Sequence, residues 1–299
     1  MKTWLRLLIA VALLAAVIGV LYWPKKPAPA AAAPLVAVDA SQVQRIAVTR
    51  PGHPDTVLTR SGANWNLDQP YAYPADGPTV ASLLDALGGI TGAKEVGATN
   101  NPAAFGLDKP STVELGLANG KALDFEFGAD TPTGGNSYLR LGGAGAIQIV
   151  PSDVKQSALK SAFLLQDKTV LHFPSGQLTA LDVTDHGKTL HLDCVKGAWP
   201  KAQQANVQSL LDALQDGQMA TMPDPDGKDA AADGLGHPPI TLRLTWNGGS
   251  AELDLGNKNG SDEYYARSNS SPAIFTLSDY LVTDITNLTA PPKPLSVSK

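Results

Sequence analysis

Cysteine is nearly absent: one in 299 residues, Cys194. An internal disulfide is therefore excluded, and the fold must be held by its core. Cys194 sits in Leu190-His191-Leu192-Asp193-Cys194-Val195, an alternation that reads as a half-buried strand thiol. Cysteine poverty is compatible with an exported protein stabilised by packing. Charge is also sparse, at 17% of residues, with 23 basic against 28 acidic side chains. Removing Lys2, Arg6, Lys25 and Lys26 leaves 19 against 28, a net of −9 after Lys26. Such a body has no general attraction for nucleic acid or anionic lipid. Catalytic signatures are missing as well. The chain holds no Gly-x-Ser-x-Gly elbow, Walker loop or dinucleotide fingerprint. Its histidines, His53, His172, His186, His191 and His237, lack metal-ligand spacing. Gly134-Gly135 and Gly142-Gly143-Ala144-Gly145 lie between strand patterns and do not open a helix as a phosphate cradle would. No catalytic constellation and no cofactor are expected.

Long apolar runs are absent except for one. Leu7 to Trp23 carries no charge and spans ~25 Å as a helix, at the short end for crossing a bilayer. Trp4, Tyr22 and Trp23 fall near its ends, where amphipathic rings favour the interface. The expected reading is an uncleaved single-pass anchor through residues 7–23, with a cleaved signal peptide as the alternative. No cysteine lies nearby to carry a lipid. Lys2 and Arg6 face Lys25 and Lys26 across the run, so the charge bias is small. The N-terminus is expected inside, in a bacterial inner membrane, with the body facing the periplasm or exterior. Residues 24–37 open with PKKPAPAAAAP, a semi-rigid Pro/Ala spacer.

Apolar content of 43% is that of a globular protein, and the body repeats itself. VASLLDAL at 80–87 returns as VQSLLDAL at 207–214. In each, a Val and three Leu fall at i, i+3, i+4 and i+7, one apolar helix stripe. In the first copy Ser82 and Asp85 point away from it. The same elements surround both helices. In the first copy, strands are expected at 45–50 and 56–60, followed by Trp65 and then Pro74-Ala75-Asp76. Asp76 is placed to cap the helix, with Pro78 in its first turn. After Phe105-Gly106-Leu107-Asp108-Lys109-Pro110, Val113, Leu115 and Leu117 alternate, Asn119-Gly120 makes a hairpin turn, and the strand Leu123–Phe127 returns and stops at Gly128. Strands 138–141 and 147–150 finish the copy.

The second copy has strands at 178–183 and 190–195. Gly197-Ala198-Trp199 aligns with Gly62-Ala63-Asn64-Trp65 if one residue is removed. Gly234-Leu235-Gly236-His237-Pro238 answers the Gly106–Pro110 element. Ile240, Leu242, Leu244 and Trp246 alternate, Leu253-Asp254-Leu255-Gly256 returns, and Ser278-Asp279 matches Ser152-Asp153. Between the copies, Ser152 is expected to cap a helix carrying Val154, Leu159 and Phe163. The expected class is α+β: a transmembrane helix, then two homologous modules of order β-β-α-β-β-β-β, each a mostly antiparallel sheet with a packed helix. The expected divisions are 1–23 for the cytoplasmic tip and anchor, 24–37 for the linker, 38–165 and 166–290 for the modules, and 291–299 for the tail.

These residues resemble the bacterial family known as domain of unknown function 4340 (DUF4340). The likeness rests on Trp65, Pro74-Ala75-Asp76, the Phe105–Pro110 element, Tyr138-x-Arg140 and Asp167-Lys168, and it covers 38–290. Phe105 stands where the family has tyrosine, and the second copy has Lys201-Ala202-Gln203 instead of Pro-Ala-Asp. The resemblance implies a membrane-anchored protein, a companion of gliding-motility-type or other ABC transport systems. It brings no catalytic residues.

Two binding candidates remain. Tyr138 and Arg140, and again Tyr265 and Arg267, share one strand face in their copies. A ring beside a guanidinium suits an anionic or sugar-like ligand or a protein partner, and equally cross-strand packing with a neighbouring carboxylate. Trp65 and Trp199 read as module cores. Asp224, Asp226 and Asp229, with Asp233 near, form a weak calcium candidate, because Pro225 interrupts the loop and no bidentate Glu follows. The expected role is a non-catalytic, membrane-anchored accessory or binding subunit of an ABC-type or gliding-motility-like system. The alternative is a periplasmic module binding an envelope glycan or small anionic ligand. A third possibility is an enzyme built on the acidic loop at 224–233.

Overall fold

The computed structural model describes residues 33–91, 93–97 and 101–289. The expected anchor at 7–23, most of the linker and the tail at 291–299 lie outside them. Among the described residues no helix is long and apolar enough to cross a membrane.

The body is two antiparallel sheets with few helices. In the first module the strands are β1 (Val43–Thr49), β2 (Thr56–Ser61), β3 (Asn64–Gln69), β4 (Tyr73–Pro74), β5 (Lys94–Gly97), β6 (Ser111–Leu117), β7 (Ala122–Asp130), β8 (Asn136–Leu141) and β9 (Ile147–Pro151). They form one sheet in the order β4-β3-β2-β1-β6-β7-β8-β9-β5. The second module has β10 (Leu178–Asp185), β11 (Lys188–Asp193), β12 (Thr221–Asp224), β13 (Ile240–Trp246), β14 (Gly249–Lys258), β15 (Glu263–Ser268) and β16 (Ile274–Ser278). Its order is β11-β10-β13-β14-β15-β16-β12. Helices α1 (Gly77–Gly88) and α4 (Gln204–Asp216) carry the repeated stripe. Val80, Leu83, Leu84 and Leu87 are buried in one core; Val207, Leu210, Leu211 and Leu214 are buried in the other. At ~1.5–3 kcal/mol per buried aliphatic side chain, each stripe contributes several kcal/mol before entropy is subtracted.

The observed order is richer than β-β-α-β-β-β-β. Strands β3 and β4 precede α1, and β5 and β12 follow the helices to pair with β9 and β16. In the second module Pro200 follows Trp199. Proline has no N–H for a ladder, and the counterpart of β3 shrinks to the Val195–Ala198 bridge. Strand register also corrects the one-residue deletion. Ser61 pairs with Asn64 as Val195 does with Ala198, so Lys196 takes the place of Gly62, at φ 52. The strand expected to stop at Gly128 continues to Asp130.

Helix starts differ in detail. Asp76 is the N-cap residue of α1, but its carboxylate accepts from Thr79 Oγ1 at 2.6 Å and not from a backbone amide. The single helix expected from Ser152 is two, α2 (Ser152–Ala158) and α3 (Ala162–Leu165). Ser161 Oγ accepts from Leu164 N to start the second, while Ser152 Oγ lies 3.1 Å from Ser137 Oγ and caps nothing. A further helix, α5 (Asp279–Thr289), closes the second module and buries Leu281, Val282, Ile285 and Leu288.

The modules meet at Gln166, which is fully buried. Tyr71 Oη donates to Gln166 Oε1 at 2.6 Å, and Gln166 Nε2 lies 4.0 Å from Met219 Sδ. The chain around it pairs backward and forward: Asp167 N donates to Pro74 O at 2.9 Å, and Met219 N to Lys168 O at 2.9 Å. Tyr73 packs against both cores. Burial, then the Asp167 carboxylate and Tyr71, push its hydroxyl from an ordinary 10.0 up to about 12. A raised folded value means that this contribution is intact below pH 10.0 and is lost as pH rises through about 12. Denaturant unfolding across that window is expected to show a steeper alkaline loss in the wild type than in Tyr73→Phe, with the two chains alike near neutrality.

Candidate functional site

The Phe105–Pro110 element is a turn seated on a strand. A 3-10 helix, Pro102–Phe105, ends at Gly106 with φ 68, a left-handed conformation that glycine adopts without strain. Leu107 N donates to Pro102 O at 2.9 Å, and the Leu107 side chain is buried. The turn rests on β7 at Gly128, where a Cβ would stand 2.1 Å from Phe105 O. Pairing between β7 and β8 shifts there, between Phe127 and Asp130. The second module repeats the seat, with a turn in place of the 3-10 helix. Gly234 has φ 79, Leu235 is buried, and a Cβ on Gly256 would stand 2.1 Å from Asp233 O. The β14–β15 register shifts between Leu255 and Lys258.

The two arginines lock this seat. Arg140 on β8 is directly opposite Glu126 on β7. Its Nε lies 2.6 Å from Glu126 Oε2, and its Nη2 donates to Leu107 O at 3.4 Å. Arg267 on β15 is opposite Asp254. Its Nη2 reaches Asp254 Oδ2 at 3.0 Å and Leu235 O at 3.3 Å. Each guanidinium thus joins a cross-strand carboxylate to the carbonyl of the seated leucine. The partner tyrosines are half-buried. Tyr138 stacks edge-on against Phe105, with ring centroids 4.9 Å apart. The four residues singled out by sequence are brought together only within each copy, as two clamps.

The acidic loop is folded on itself. Asp224 accepts from the amides of Asp229 at 2.8 Å and Asp226 at 3.2 Å, which holds its carboxyl below the usual range, the Asp229 N–H contributing most. Lys228 Nζ pairs with Asp226. Burial, then Asp229 and Asp224, push Asp233 upward. Among the described residues no three His, Cys, Asp or Glu are arranged to hold a metal ion. His191 is exposed between Asp182 at 2.6 Å and Asp193 at 3.2 Å, and the Asp182 contact raises its pKa most.

One concavity was not singled out by the sequence. It measures about 230 Å³ and lies in the second module between Trp199, Cys194 and the glutamines of α4. The available signal was in the repeat: Gln204, Gln208 and Gln215 replace Gly77, Ala81 and Gly88 on otherwise matching helices.

A family model described as a domain of unknown function (DUF4340) matches residues 65–206 and again 196–290. No curated protein and no solved structure matches the chain.

Truncating either clamp strands a carboxylate that is mostly shielded from water. Arg140→Ala and Arg267→Ala are each expected to lower unfolding free energy by roughly 1–3 kcal/mol. The loss should be larger for Arg140, whose side chain is 16% exposed against 32% for Arg267. Urea titration of both variants beside the wild type measures this.

Proposed function

This chain belongs to the family described as a domain of unknown function (DUF4340) and carries that domain twice; from that premise we propose a non-catalytic accessory or binding subunit of an envelope assembly. Residues 7–23 anchor it in the bacterial inner membrane, and the Pro/Ala spacer holds the modules off on the periplasmic or outer side. Its partners are subunits of an ABC-type or gliding-motility-like transport system.

The observation that carries this reading is duplication with selective divergence. Both copies retain the helix stripe, the glycine seat and the arginine clamp. They differ on the surface beside the tryptophans, where Arg60 and three small helix residues give way to Cys194 and three glutamines. Two homologous scaffolds with unequal surfaces suit a subunit that presents one face to a partner. An acidic body that avoids anionic lipid leaves that face free for protein contact. The alternative, capture of an anionic ligand by Arg140 and Arg267, is the weaker reading. It would have to break the pairs with Glu126 and Asp254.

The test is purification of the full chain from detergent-solubilised membranes, with mass spectrometry of what comes with it. Recovery of an ATPase and a permease in constant ratio is the expected outcome. A chain released from membranes by alkaline carbonate, and recovered without any envelope protein, sinks the proposal.

A further inference from the structure

The two modules are internal controls for each other, and strand register fixes which residues correspond. Ile46 pairs with Leu58 and Leu115, as Leu181 pairs with Leu192 and Leu244. Two residues beyond Leu58 and Leu192 come Arg60 and Cys194. The turns then close alike, and Trp65 corresponds to Trp199. The turn before each first strand also matches: Gln42 N donates to Asp39 O at 3.0 Å, and Gln177 N to Pro174 O at 2.9 Å. Ala40 and Ser41 therefore correspond to Ser175 and Gly176.

In the first module Arg60 fills this corner. Its guanidinium carbon stands 5.8 Å from the centroid of the Trp65 ring. Its Nη1 donates to Ala40 O at 3.0 Å and to Ser41 O at 3.3 Å. A guanidinium over an indole, with carbonyl oxygens at its edge, is a cation site in which the cation is the chain's own. Arg60 Nε is buried without a hydrogen-bond partner among the described residues, so the first module satisfies the group incompletely.

In the second module the same corner is open. Cys194 is too short to fill it, and the concavity of about 230 Å³ is lined by Trp199, Ser175, Gly176 and Cys194, the counterparts of the groups around Arg60 and of Arg60 itself. The helix wall has changed in the complementary direction. Where the first module has Gly77, Ala81 and Gly88, the second offers the amides of Gln204, Gln208 and Gln215 to the pocket. Side-chain amide oxygens thus line the wall facing the space that the Arg60 guanidinium fills in the first module. The body around it carries a net −9, which favours a cation over an anion.

We propose that this pocket binds a guanidinium group on an alkyl arm, entering where the first module inserts Arg60. The group lies over Trp199 and donates to backbone oxygens at Ser175 and Gly176 and to the glutamine amides. Its planar fork has a use for several acceptors that a lysine ammonium cannot match. The chemistry is that of an arginine side chain, supplied by a partner polypeptide or by a free small molecule. The site stands whether or not the chain serves a transport assembly.

Cys194 is the chain's one thiol and lines the pocket, so its alkylation rate reports occupancy directly. Iodoacetamide labelling of the full chain in detergent is measured with N-acetylarginine amide, with a capped Gly-Arg-Gly peptide, and with the citrulline counterparts of both. The expected result is about tenfold slower labelling at ten times the dissociation constant, with no protection by citrulline. Protection by the amino acid alone identifies a small-molecule ligand; protection by the peptide identifies a polypeptide side chain. Labelling unaffected by either arginine compound, or slowed equally by citrulline, overturns the proposal. Cys194→Arg supplies a second reading. It should raise the thermal midpoint and abolish any further rise on adding N-acetylarginine amide. A variant with a lowered midpoint that still responds to the ligand as the wild type does would contradict the site.

Discussion

The close approach of a turn to a strand, at Gly128 and again at Gly256, is the constraint on which each module is built. A carbonyl oxygen occupies the space where any other residue would carry its Cβ. Because the turn lies that near, Leu107 and Leu235 are buried over the two glycines, the strand shifts register beside them, and an arginine on the next strand reaches the leucine carbonyl. The seat tolerates change around it: Phe105 is matched by Asp233, and Asp108-Lys109 by Gly236-His237. What persists is glycine, leucine, the opposing glycine and the clamp.

Much of this architecture was legible because it obeys simple periods. The helix stripes and the alternating strands Val113–Leu117 and Ile240–Trp246 bury the faces their patterns imply. The elements that escaped are those with weak patterns. β5 and β12 are four-residue edge strands whose place is set by pairing with β9 and β16. Spacing placed Tyr138 beside Arg140 on one face, but what a guanidinium meets depends on cross-strand register, and a single sequence does not fix register. The open corner beside Trp199 escaped for the same reason. Matching Gly197 to Gly62 takes one residue out of this turn, whereas the pairing of Ser61 with Asn64 and of Val195 with Ala198 sets Lys196 at Gly62 and Cys194 at Arg60.

The two copies therefore separate mechanics from recognition. The seat and clamp contacts recur with nearly the same geometry, and at one corner of the second module Cys194 and three glutamines stand where the first has Arg60 and three small residues. Gln166 and Tyr73 join the halves through buried contacts, so the corner is held on a supported frame and not on an isolated domain. A duplicated fold can keep one copy as a buttress while the other acquires a surface of its own. Here the first copy carries, in Arg60, a group that the second lacks at the corresponding position.

The glycine seat holds both modules, and the most direct measurement of this is the unfolding free energy of Gly128→Ala and Gly256→Ala by urea titration. Gly77→Ala serves as a control, since a Cβ there meets open space in a helix that favours alanine. Each seat variant is expected to lose at least roughly 1–3 kcal/mol, the cost of overpacking against a backbone that cannot move aside. The control should match or exceed the wild type. Seat variants as stable as the control would contradict the account.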